Sequence, residues 1–219
     1  MVSKYSYLSY FMDENTPLYG GEKGVSVQDD RVISNGDSAN TKRLHFHNHS
    51  GTHIDYPNHF FDKGLKSEDY AADTWIFEHP FLMHIPAEAN EIISLTQYKL
   101  DSIPEDTDFL IIKTGFWAYR SEEKYWKNNP GLSPDLADQL RSRLKGLKVL
   151  GMDFISVTSY QNRELGREAH RNFLKAEDTI LLVEDMNLGS VQDSPNQLMC
   201  FPLMIKGLDG SPVTIIGRF

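Results

Sequence analysis

The apolar and polar positions of this chain change period several times, and each change marks an element. Tyr5 to Phe11 is rich in aromatic residues and reads as a first strand. Asp13-Glu14-Asn15-Thr16-Pro17 follows as a turn, and Val25-Ser26-Val27 alternates like a strand. Asn35-Gly36 is a two-residue hairpin signal. From Arg43 to Asn48, Leu44, Phe46 and Asn48 alternate with His45 and His47, so extended structure puts His45, His47 and His49 on one face. Gly51 should break that strand, and Pro57 should keep it from continuing as a central one, so the histidines fall on a strand end entering an ordered loop. Pro80–Pro86 and Asp108–Thr114 are apolar runs bounded by breakers, as buried strands are.

Ser133-Pro134 then reads as a helix N-cap with proline at the first helical position. Leu136, Leu140 and Leu144 recur at i, i+4 and i+8, Gly146 stops the helix, and Lys148–Met152 returns as a strand. This β–α–β pattern implies a parallel pair. Glu164–Lys175 is helix-compatible and carries His170. Thr179–Val183 is a short buried strand ending at Glu184, and Leu198–Ile205 and Val213–Ile216 close the sheet around an Asp209-Gly210 turn. No repeat, low-complexity tract or linker interrupts residues 1–219. The expectation is one α/β domain with a curved mixed sheet or barrel-like core flanked by helices.

Composition narrows the function classes. The charged fraction is 24% and the hydrophobic fraction 40%, which suits a chain with a real core. The net charge of −9 argues against a nucleic-acid partner, which needs a basic face. No apolar run approaches the roughly 20 residues of a membrane span. The N-terminus lacks a basic segment followed by an apolar core, so the expected location is the cytoplasm. The single cysteine, Cys200, allows no intrachain disulfide and no thiolate-rich zinc site. In its apolar strand it reads as a buried hydrophobe.

Five of the eight histidines lie between positions 45 and 59. His49 and His53 are four apart around a glycine turn, and Asp55, two residues past His53, points the same way in extended structure. Two histidines and a carboxylate form a common catalytic set for zinc and also suit manganese or iron. His59 stands beyond Pro57, either as a further ligand or as a free imidazole that moves protons. Glu184 ends a buried strand and needs a partner, a metal or an arginine, with Asp185 as its rival on the opposite face. His45 and His47 read as strand residues, with His47 near the site, and His79 and His84 as structural. Asp153 faces the cleft or caps a turn. Most aromatic residues are expected in the core, with Phe60 or Phe61 lining a pocket for a flat substrate.

His49-x-Gly51-Thr52-His53-x-Asp55-x-Pro57-x-His59 resembles the signature of the metal-dependent cyclase/hydrolase family, which includes bacterial kynurenine formamidases and isatin hydrolase. Two further segments are similar to that family. They are Ala169-His170-Arg171-x-x-Leu174 with Leu182-Val183-Glu184-x-Met186-x-Leu188, and the opening Leu8-Ser9-Tyr10-x-Met12-Asp13-Glu14-Asn15-Thr16-Pro17-Leu18-Tyr19. The resemblance implies His49, His53 and Asp55 as ligands of a first metal. It implies Asp55, His170 and Glu184 for a second, and His59 as the catalytic acid/base. Zn2+, as one or two ions, or Mn2+ is the implied cofactor. Kynurenine formamidases have Trp-Pro-Gly-Asp where this chain has Tyr19-Gly20-Gly21-Glu22, a segment near the substrate in the family. The implied function is hydrolysis of a C–N bond in a small-molecule amide, aryl formamide or cyclic amide by a homo-oligomer, a dimer or tetramer. The alternatives are a lactone hydrolase or polyketide-type cyclase using the same site, or a metal- or ligand-binding protein without turnover.

Overall fold

A computed structural model describes residues 4–219. In chain order the elements begin with β1 (Tyr5–Tyr7), the hairpin β2 (Val25–Arg31) and β3 (Thr41–Phe46), and β4 (His53–Asp55). They continue with β5 (Ile76–Phe77), β6 (Pro80–His84), β7 (Ile92–Ile93), α1 (Gln97–Asp101), β8 (Phe109–Lys113), α2 (Glu123–Lys127) and β9 (Gly131–Leu132). The last third holds α3 (Asp135–Arg143), β10 (Val149–Met152), α4 (Arg163–Leu174), β11 (Leu181–Glu184), β12 (Gln197–Pro202) and β13 (Gly210–Arg218).

Nine of these strands form one mixed, nearly closed, barrel-like sheet in the order β5-β12-β13-β4-β11-β10-β8-β6, with β1 also on β13. β6, β8, β10 and β11 run parallel, whereas β4, β13, β12 and β5 join antiparallel. Every residue of β8 and β10 is buried, as a parallel strand covered on both faces requires, which is why these segments read as unbroken apolar runs. The β8–α3–β10 unit is the parallel pair that the sequence pattern predicts. Leu136, Ala137 and Leu140 of α3 are buried, and α3 packs beside α4.

Three local expectations need correction. The histidine stretch is not merely a strand end, because β4 is a central strand lying between β13 and β11. Its N–H and C=O groups are paired on both edges although it is only three residues long, and Pro57 falls after the ladder, at the start of a 3-10 turn. Asn35-Gly36 is not a two-residue turn: a 3-10 turn at Ile33–Asn35, closed by Gly36 at φ +96°, joins β2 to β3. Asp209-Gly210 is not a hairpin turn either. Gly210 already pairs with Asp55, so Asp209 stands at the mouth of the sheet beside the histidines. Cys200 is fully buried in β12 as expected.

Candidate metal centre

Sheet register builds the site. His53 lies opposite Glu184 and Asp55 opposite Leu182 across the β4–β11 pair. Residues directly opposite share a face, and so do residues two apart on a strand. His53, Asp55 and Glu184 therefore project together, and their ligand-type atoms lie within 4.8 Å of one another. All three are buried. Helix α4 crosses over this face and adds the buried His170, whose Nε2 is 3.6 Å from Asp55 Oδ2 and 3.5 Å from Glu184 Oε1. Gly51, at φ +63°, makes the turn that brings His49 back until its Nδ1 is 2.8 Å from Asp55 Oδ1. Asp55 is thus the residue shared by two groups, His49–Asp55–His59 and His53–Asp55–Glu184.

The donor set fits a divalent cation. His53 Nε2 is 3.5 Å from Asp55 Oδ1 and 3.4 Å from Glu184 Oε2. Those spacings are long for charge-assisted hydrogen bonds. Metal bonds of about 2.0–2.1 Å at tetrahedral angles put neighbouring donor atoms about 3.3–3.4 Å apart, close to all four His–carboxylate separations. The outer nitrogens are already committed: His53 Nδ1 lies 2.8 Å from Gly51 O, and His170 Nδ1 lies 2.9 Å from Gly166 O. An Nδ1–H donated to a carbonyl leaves the Nε2 lone pair aimed inward, the arrangement that orients metal-binding imidazoles. Glu184 Oε1 also accepts from Val157 N at 2.7 Å and from Ser156 Oγ at 3.2 Å.

Charge balance supports the same reading. Burial opposes ionisation of Asp55, yet the surrounding histidines hold its carboxyl well below the usual carboxylate range. Burial likewise opposes a charged His49 and a charged His170, but their carboxylate neighbours prevail and push both up to about 10. Two buried carboxylates need positive charge beside them. Without metal, protons on the imidazoles supply it.

His59, in the turn after Pro57, presents Nδ1 to Asp209 Oδ2 at 2.9 Å, and His49 Nε2 is 3.1 Å from the same oxygen. Asn48 Nδ2 donates to Asp209 Oδ1 at 2.7 Å. The two histidines pull Asp209 well below the usual carboxylate range. A cavity of about 420 Å³ opens over these groups, lined by Tyr19, Glu22, Phe60, Arg163 and Arg167 among others. Phe60 stacks on the His170 ring, with centroids 4.6 Å apart and planes at 19°. Phe61 also packs against the core but does not line the cavity.

The remaining candidates lie elsewhere. His47 reaches the cavity wall, whereas His45 is exposed on β3 and outside it. His79 and His84 are exposed and do not line the cavity, His79 near Asp106 and His84 on Gln192 O. Asp153 caps a turn by accepting from Thr114 N, Thr114 Oγ1 and Gly115 N. The arginine considered for Glu184 goes to its neighbour: Arg120 clamps the buried Asp185 with contacts of 2.8 and 2.7 Å, and Tyr125 donates to it. Sequence reasoning missed Asp209, whose Asp-Gly context signals a turn, and Gly210, where a Cβ would overlap the His49 ring.

A curved mixed sheet with a buried histidine–carboxylate cluster on its central strands defines the class, an α/β protein with a candidate divalent-metal centre. The model of a family described as putative cyclase matches residues 7–159, and the chain belongs to that family. A kynurenine formamidase of Bacillus cereus is 27% identical over 218 residues, spanning 99% of this chain and 98% of that protein. Cyclase-like protein 2 of Oryza sativa subsp. japonica is 29% identical over 213 residues, spanning 91% of this chain and 74% of the relative. Among solved structures, isatin hydrolase A from Labrenzia aggregata superposes with TM-score 0.79 at 18% identity, covering 97% of this chain and 92% of that one. A potential metal-dependent hydrolase with cyclase activity does so with TM-score 0.75 at 17% identity, covering 97% and 96%. These two likenesses show the fold.

Proposed function

We propose that this protein, as one domain spanning residues 1–219, is a metal-dependent amidohydrolase that cleaves a non-peptide C–N bond in a small amide, aryl formamide or cyclic amide. The observation that carries the reading is the convergence of His53, Asp55, Glu184 and His170 at metal-ligand spacing, with His59 beside them in one cavity. The kynurenine formamidase relatives, matched over nearly their whole length, support the bond type. His49, His53 and Asp55 would hold one ion, and Asp55, His170 and Glu184 a second. Zn2+ or Mn2+ suits such a nitrogen–oxygen set. Bound metal supplies an activated water at neutral pH and a Lewis acid for the carbonyl.

The chain's own residues supply the proton chemistry. Asp209 accepts from His59 Nδ1–H, fixing the tautomer whose Nε2 carries the lone pair. His59 takes the proton of the attacking water at Nε2 and returns it to the departing nitrogen. Phe60, stacked on His170, offers a flat apolar wall that orients a planar amide and excludes water from the cluster. Tyr19 faces the same space.

The test is hydrolysis of N-formylkynurenine, isatin and simple lactones by metal-loaded protein, with His59→Ala alongside. The reading requires amide turnover that falls about 100-fold or more in the variant. Full turnover by His59→Ala, or turnover of lactones alone, counts against it. Bound metal with no hydrolysis across amides and esters favours a binding protein instead.

A further inference from the structure

The outer part of the cavity carries charge that the hydrolytic cluster does not use. Arg163, Arg167 and His170 fall at i, i+4 and i+7 on α4, so one helix face presents all three. His170 reaches the cluster, while Arg167 and Arg163 line the cavity nearer its mouth. At 1.5 Å of rise per residue their Cα atoms lie roughly 4.5 and 10.5 Å from that of His170 along the axis. An aromatic ring fits that span.

Neither guanidinium makes an ion pair among the described residues, although the chain has 31 acidic residues. Arg163 is held over the Tyr160 ring at 4.1 Å, and Tyr160 in turn packs against Tyr19, with ring centroids 5.4 Å apart. The Tyr19 hydroxyl is buried on the same wall beside the Arg163 guanidinium, and among the described residues its O–H has no acceptor. Burial pushes this phenol up to about 12, against the opposing charge of Arg163, so it remains a neutral O–H donor. A buried unpaired donor is costly, and a ligand oxygen would relieve it. Among the described residues Glu22 is the one carboxylate on this outer wall, leaving the mouth net positive in a chain of net charge −9.

We propose that Arg163, Arg167 and Tyr19 form a carboxylate-recognition subsite, and that the amide hydrolysed carries a carboxylate about one aromatic ring from the bond that breaks. Guanidinium forks match carboxylate oxygens, and the phenol adds a third donor. The reaction class rests on the amidohydrolase reading, whereas the binding subsite stands apart from it.

The experiment measures binding of benzoate and benzamide to chelator-stripped protein by calorimetry, so that no metal competes for the carboxylate. Wild-type protein should bind benzoate at least about tenfold more tightly than benzamide, as expected for charge-assisted hydrogen bonds. In Arg163→Gln/Arg167→Gln the ratio should fall to about one. That variant changes exposed side chains, and a thermal melt checks its fold. Tyr19→Phe, which keeps the ring, should lower the ratio by itself. Equal binding by wild-type protein, or a preference that survives the double substitution, overturns the subsite.

A second arm compares turnover of 4-formamidobenzoate and 4-formamidobenzamide by metal-loaded protein. A lower KM for the carboxylate that disappears in the double variant supports the proposal. Turnover of both without preference overturns the subsite and leaves the hydrolase standing. Absent turnover with the benzoate preference intact overturns the hydrolase reading and leaves the subsite standing.

Discussion

Replacing Asp209 by asparagine isolates the link between fold and proton transfer. The substitution keeps the shape and the bond from Asn48 but removes the charge that faces His59 Nδ1 at 2.9 Å and His49 Nε2 at 3.1 Å. A hydrogen bond to a charged group is worth about 1.5–3 kcal/mol. The Asp209 side chain is 36% exposed, so solvent screening favours the lower part of that range, about 1.5–2 kcal/mol. In the proposed mechanism His59 gains a proton in the step that Asp209 assists, so the loss falls on the barrier. At 1.36 kcal/mol per decade, kcat should drop roughly 10- to 30-fold. Steady-state kinetics at saturating metal, with metal content measured on the same samples, separate this effect from loss of an ion. A fully loaded Asp209→Asn protein with kcat within about threefold of wild type would refute the argument.

Further outcomes follow from the same geometry. His49 and His170 are pushed up to about 10 from an ordinary value near 6.5, so metal uptake at pH 7 should release about two protons, countable by calorimetry in buffers of different ionisation enthalpy. Zero protons released would contradict the protonated cluster. By the same linkage, the raised values stabilise the metal-free protein fully below about pH 6.5. Its melting temperature should fall as pH rises from 7 through 10, and a flat profile would count against it. Arg120→Met strands the buried Asp185 carboxylate, which should cost about 3–5 kcal/mol, or roughly 6–20 °C in melting temperature. Adding Asp185→Leu should recover part of that loss, and a double variant no better than the single one would argue against the stranded charge. Gly210→Ala puts a methyl group into the His49 ring and should lower metal content at fixed free metal, measured by elemental analysis.

Legibility in the sequence followed the length of the signal. β8, α3 and β10 each carry several residues of one period, and all three formed where the pattern put them. His53 and Asp55 were readable as neighbours on one face because strand alternation is local. The central place of β4 was not, because three residues between a glycine turn and a proline carry too little pattern to distinguish a central strand from a loop. Asp209 enters the site from 150 positions beyond His59, and its local context, Asp followed by Gly, signals a turn. Arg120 and Asp185 are 65 residues apart, so their pairing depends on tertiary packing alone. Arg163 and Arg167 look like the solvated face of an amphipathic helix until α4 is laid across the cavity.

Turnover as a function of metal bound tests most directly whether the histidine–carboxylate cluster is a working metal centre. Protein stripped with chelator is titrated with Zn2+ or Mn2+ while bound metal and amide hydrolysis are followed together. Negligible turnover is expected in the stripped protein, with a rise proportional to occupancy that saturates at one or two ions per chain. Turnover that persists in the stripped protein, or a chain that binds no divalent metal, would contradict it.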